Sequence, residues 1–158
     1  MEEHLHYMRL LLAVLFVFLG IALQLKLGLL LAVRPDFVFV TLATLSFFLS
    51  FFELVIVGLL TIFALTWQPY PSVELLFVVA VPLLFFLARK IIIPFEGWLA
   101  NILLASSGII VFYLLFDFEG TVRFPLVVVL DVAVSVLFGI CLFYLVRHST
   151  DEVAHGGQ

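Results

Sequence analysis

Residues 37–67 read FVFVTLATLSFFLSFFELVIVGLLTIFALTW, and Glu53 is the one charged residue among them. Wound as a helix at 1.5 Å per residue, the run would be about 46 Å long. The hydrocarbon core of a bilayer is about 30 Å thick and takes roughly 20 residues per helical span. The run is therefore too apolar for a soluble surface and too long for one crossing. A turn near residues 50–53 resolves the conflict, dividing it into a span over 37–52 and a short span over 54–67.

Upstream, Arg34, Pro35 and Asp36 precede the run. Pro35 suits the first turn of a helix, where its missing N–H would be unpaired anyway, and Asp36 complements the positive helix start. Residues 27–33 are apolar but too few to cross alone, which predicts an interfacial or re-entrant segment. Before them, Gln24 and Lys26 close a first span over residues 8–23. That span follows an acidic, His-bearing start with no small-residue cleavage site after it, and is expected to be retained.

Downstream, Gln68, Pro69, Tyr70 and Pro71 form a hinge. A fourth span is expected over 73–88, kinked at Pro82 and stopped by Arg89 and Lys90. A linker over 91–97 leads to a fifth span over 98–116 with Trp98 as interfacial anchor, then to a polar hinge over 117–120. The sixth, over 124–146, opens with Pro125 in its first turn and ends at Arg147 and His148.

The composition agrees. Of 158 residues, 66% are hydrophobic and 11% charged, and the mean hydropathy is +1.37, more apolar surface than a soluble fold of this size can hide. The expectation is an all-α integral membrane protein: residues 1–158 as a single transmembrane domain with short polar termini, about six helices in a compact bundle. Six crossings put both termini on one side. Arg9, Arg89, Lys90 and Arg147 then lie on that side against Lys26, Arg34 and Arg123 opposite, which favours cytoplasmic termini. The net charge of −4 owes much to the chain ends, and no basic cluster points to nucleic acid.

Charged groups within a span are costly and need a reason. Asp131 is the sharpest, set in aliphatic carbon about two turns inside the sixth span. It reads as an ion relay or as a helix contact point, and the structural role is favoured. Glu53 is expected to reach water at the turn. Asn101, Ser106, Ser107 and Gly108 suit close helix packing. His4, His6, His148 and His155 lack further ligands at fixed spacing and read as solvated ends, so no metal site is expected. Cys141 is the sole cysteine, which excludes an internal disulfide. No P-loop, nucleophile elbow or metalloprotease motif occurs. No catalytic or cofactor-binding residues are expected, and the chain reads as a non-enzyme.

The order of these features resembles the bacterial rod shape-determining protein MreD family. The most specific part begins with Ile21, Ala22, Leu23 and Gln24. After a short apolar spacer it continues through Val33, Arg34, Pro35, Asp36, Phe37, Val38, Phe39 and Val40. The basic stop at Arg89 and Lys90 and the final span between Arg123 and Arg147 agree in layout.

The resemblance implies a multi-pass subunit of the bacterial inner membrane within the cell-elongation, peptidoglycan-synthesis machinery. It would scaffold or regulate partners: an MreC-like protein and wall-synthesis enzymes, among membrane lipids. It also implies a fold similar to the six-helix substrate-binding subunits (S-components) of energy-coupling-factor transporters. Gln24, Arg34, Pro35, Asp36 and Asp131 are the structural or interaction candidates. The alternative is a transporter subunit of that kind, with Asp131, Tyr113 and Gln24 as its first suspects.

Overall fold

A computed structural model describes residues 2–31, 36–66, 72–89 and 97–155, with side chains over 7–26, 36–66, 72–88 and 97–149. Its elements are α1 (Glu2–Leu31), α2 (Phe37–Leu45), α3 (Phe51–Leu65), α4 (Val73–Arg89), α5 (Gly97–Phe116), α6 (Phe118–Arg123) and α7 (Pro125–His155), with no strand among the described residues. Three stretches are long and apolar enough to cross a membrane: Tyr7–Lys26, Gly97–Phe116 and Pro125–Ser149. Phe51–Leu65 and Val73–Ala88 are apolar but shorter. The fold is all-α, and these helices fit an all-α membrane protein.

The centre is α2. All nine of its residues are buried, as expected of a helix with no polar face to turn outward. It packs against α1, α4, α5 and α7, and less extensively against α3. α3 and α4 run in opposite directions, as do α4 and α5. Phe51 at the start of α3 meets Phe86 near the end of α4, and Phe77 near the start of α4 meets Phe112 and Phe116 near the end of α5.

The turn expected inside residues 37–67 is present, but it comes earlier. After Leu45 the chain keeps helix-like bonds for one more turn. The Ser46 N–H donates to Leu42 O at 3.0 Å and the Leu49 N–H to Leu45 O at 2.9 Å. Ser50 is then extended and caps α3. Its hydroxyl accepts from the Glu53 N–H at 3.5 Å, while Glu53 Oε2 accepts from the Ser50 N–H and Oγ at 2.8 Å each. This is a capping box, in which two side chains satisfy the open backbone donors of a helix start. Glu53 therefore does not reach out to water as the sequence suggested: it is 7% exposed and its carboxylate is engaged at the cap.

Other boundaries also move. Residues 27–31 continue α1 without a break instead of forming a separate interfacial piece, and α7 runs on to His155 past the expected stop at Arg147. The hinge over 117–120 is instead the short α6, whose N-cap Asp117 accepts from the Gly120 N–H at 3.1 Å. α4 is continuous through Pro82, and Pro125 opens α7 as expected. The hinge over 68–71, the linker over 91–96, Arg34 and Pro35 lie outside the described residues.

Polarity is distributed inside out. Leu126, Phe63 and Phe52 are about four-fifths exposed, whereas Thr41, Thr44, Thr61 and Ser135 are fully buried. Contiguous apolar surface of this extent is foreign to a soluble monomer. Lipid accepts it, while requiring polar groups to find partners inside the protein.

Ser50→Ala removes the acceptor from the capping box and lowers stability by about 1 kcal/mol. Thermal unfolding of the purified chain in mild detergent measures this; an unchanged midpoint would mean that the cap contributes nothing.

Candidate functional site

The buried polar groups form a seam where α2, α5 and α7 meet. On α7 the seam is built by spacing. Asp131, Ser135 and Gly139 are four residues apart, so they share one helix face, and all three are buried. On α5 the facing residues include Asn101, Ala105, Gly108 and Ile109, all buried. On α2 they include Val40 and Thr44.

Asn101 joins the three helices. Its Nδ2 donates to Gly139 O at 3.3 Å, and its Oδ1 accepts from the Thr44 hydroxyl at 3.2 Å. A side-chain amide can donate and accept at once, so a single residue ties α5 to both neighbours. The approach needs small residues. A Cβ on Gly139 would lie 2.7 Å from Val40 Cγ1, and one on Gly108 would collide with the Phe39 ring. Asn101 and Gly108 thus make the packing contacts expected of them, whereas Ser106 and Ser107 donate to carbonyls of their own helix, Ile102 O and Leu104 O.

At the end of the seam where α2 begins, the Tyr113 hydroxyl donates to Asp131 Oδ2. Asp131 is 2% exposed. Asp36, at the N-cap of α2, stands near enough to this pair for Asp131 to influence it electrostatically, and Tyr113 is influenced by both acids. Gln24, from the later part of α1, reaches the same helix start, where its Oε1 accepts from the Val38 N–H at 3.2 Å. It thereby satisfies one of the four backbone donors left open at a helix start. Asp36 itself makes no side-chain bond to that start.

Of the candidates read from the sequence, Gln24, Asp36 and Asp131 therefore converge on one end of the bundle, and Arg34 and Pro35 fall outside the described residues. Tyr113 joins them as the direct partner of Asp131. Thr44 and Ser135 were not singled out. Thr44 is one of several hydroxyls in an apolar run, and its role emerges from a partner 57 positions away. Ser135 is fully buried, and its hydroxyl has no hydrogen-bond partner among the described residues. Its spacing from Asp131 was the available signal.

Chemically the cluster offers carboxyl, phenol and amide oxygens at one depth. That set can fix helix to helix or hold a polar or cationic group. Set against protein-family models, curated proteins and solved structures, the chain matches none.

Tyr113→Phe lowers stability by about 1 kcal/mol, the scale of a hydrogen bond between helices in a membrane. In an Asp131→Leu background the same change has little effect, so a double-mutant cycle by thermal unfolding returns a coupling of similar size. Equal losses in both backgrounds would show that the two residues act independently.

Proposed function

We propose that the chain is a non-enzymatic, six-crossing subunit of the bacterial inner membrane with cytoplasmic termini. It acts as a scaffold in the cell-elongation machinery, binding an MreC-like partner and wall-synthesis enzymes. One observation carries the reading. Gln24 and the stretch around Asp36 and Val38, which together bear the resemblance to the MreD family, are joined in space by the bond from the Val38 N–H to Gln24 Oε1. The most specific part of the resemblance is thus one packed unit.

Two further features support it. Residues 36–49 extend from the Asp36–Asp131 cluster to the groove that Leu49 shares with Arg9 and Ser149 at the other end of the bundle. The short α2 with its final turn thereby runs from one end of the bundle toward the other, in keeping with a crossing of its own among six. The interior amide and phenol groups are bonded to other helices, so the seam resembles a packing device, while broad apolar faces remain outside for partners or lipid.

A second reading has its own observation. Gln24, Asp36, Tyr113 and Asp131 gather at one end of the bundle, where a substrate-binding subunit of an energy-coupling-factor-type transporter would take its ligand.

Co-purification of the tagged chain from its native membrane in mild detergent, with cross-linking and mass spectrometry, separates the two. The scaffold reading expects an MreC-like protein and wall-synthesis enzymes. Recovery of transporter ATPases and a coupling subunit instead would sink it and support the transporter reading.

A further inference from the structure

At the end of the bundle opposite the Asp36–Asp131 cluster, the first turns of the α1 crossing, the turn after α2 and the last turns of α7 enclose a groove. Leu12 and Phe16 form one wall, Leu49 and Val146 the other, and Arg9 and Ser149 stand at its rim. It holds about 20 Å³ of free space, room for one water-sized group. Apart from Arg9 and Ser149, its lining is apolar.

Arg9 is placed unusually for a surface arginine. It is half-buried, and its Nε–H is enclosed with no hydrogen-bond partner among the described residues. An enclosed donor on a cation is costly, and an incoming oxygen meets this one only once the Arg9 side chain turns toward the groove. Ser149 does not supply one: its hydroxyl donates to Leu145 O at 2.9 Å and makes no bond to the Arg9 Nε–H. The depth is also informative. Arg9 lies near the start of the apolar stretch Tyr7–Lys26, and Ser149 ends the stretch Pro125–Ser149. Both positions fall where an apolar helix meets lipid headgroups.

An anionic group with two or more oxygens, attached to an apolar chain, satisfies each of these features. Its oxygens answer the guanidinium fork, one atom fits the free space, and the chain lies along the leucine and phenylalanine walls. Glu2, Glu3, Asp151 and Glu152 make the chain ends acidic in sequence, so the selection is assigned to Arg9 itself and not to the net charge of the face. We propose that this groove binds the headgroup of one anionic phospholipid, with Arg9 as the charge that selects it.

The proposal rests on the membrane reading and not on the identity of any protein partner. Its test uses the full chain in mild detergent, supplied with equal amounts of phosphatidylglycerol and phosphatidylcholine of the same acyl chains. Native mass spectrometry then counts the lipids retained. The wild type keeps phosphatidylglycerol in excess. Arg9→Gln lowers that ratio about fivefold, the scale of one cation at the membrane surface, while Arg123→Gln at the opposite end leaves it unchanged.

A wild-type ratio near one, or a ratio unaffected by Arg9→Gln, overturns the proposal. Should Arg9→Gln fail to fold, a photo-cross-linkable phosphatidylglycerol on the wild type decides instead. Adducts within residues 9–16, 45–49 and 146–149 support the site, and adducts confined elsewhere refute it. Release of the chain from membranes by alkaline carbonate would sink the membrane reading itself, a failure distinct from loss of lipid preference.

Discussion

A helix buried on every side must have all its needs met by its neighbours, and α2 is such a helix. Its nine residues touch other helices in all directions, so each backbone group at its ends requires a partner from elsewhere in the chain. At its start Gln24 of α1 supplies an acceptor for the Val38 N–H. At its end the turn through Leu49 folds the backbone onto its own carbonyls, and the Ser50–Glu53 cap starts the next helix at once. In a low-dielectric interior an unmet donor costs several times what a met one contributes. The position of α1 relative to α2, and of α3 after it, follows from that asymmetry together with the apolar packing of the same helices.

The same reasoning explains how the outer helices are held. Between apolar helices in lipid, association gains little from the hydrophobic effect, because lipid tails are as apolar as leucine. Close packing and internal hydrogen bonds must provide the specificity. α7 illustrates this: its outward residues are exposed leucines and valines, while its inward face carries Asp131, Ser135 and Gly139. Gly139 lets Val40 approach, and its carbonyl then accepts from Asn101. Registry between α5 and α7 is thereby set at two depths, by Asn101 at one and by the Tyr113–Asp131 pair at the other. Two such points on one interface fix sliding as well as rotation.

Much of this was legible in the sequence, and the parts that were not have physical reasons. Apolar run lengths predicted the helical class and the break within residues 37–67, because the bilayer sets an external ruler. The break was placed a few residues late, at 50–53, although Ser50 and Glu53 carry the S-x-x-E pattern that marks a helix start. Weighing Glu53 as a charge seeking water hid its use as a cap. The continuation of α1 past Lys26 was hidden likewise, since a lone lysine does not break a helix. At the candidate site, isolated acids in apolar surroundings made Asp131 conspicuous, and its partner on another helix became visible only in three dimensions. Thr44 shows the limit. Threonines in apolar helices usually bond their own backbone, as Thr41 and Thr61 do at 2.7 and 2.8 Å, so nothing local distinguishes the one that reaches across.

The seam also bears on what kind of function the bundle can carry. A subunit that captures a ligand between its helices must open there and replace its internal bonds with bonds to the ligand. Here the Asn101 bridge ties α5 to α2 and α7 through two bonds that would both have to break. The Asp36–Asp131–Tyr113 cluster lies beyond that bridge, toward the start of α2, where a local rearrangement could leave the bridge intact. A scaffold needs no such opening. It needs an interior that holds its shape while partners or lipids engage its outer faces, and α3 offers one such face in Phe52, Ile56, Leu59 and Phe63, all exposed. The centre is thus tied across three helices by Asn101 and across two by Tyr113 and Asp131, with an apolar exterior around it.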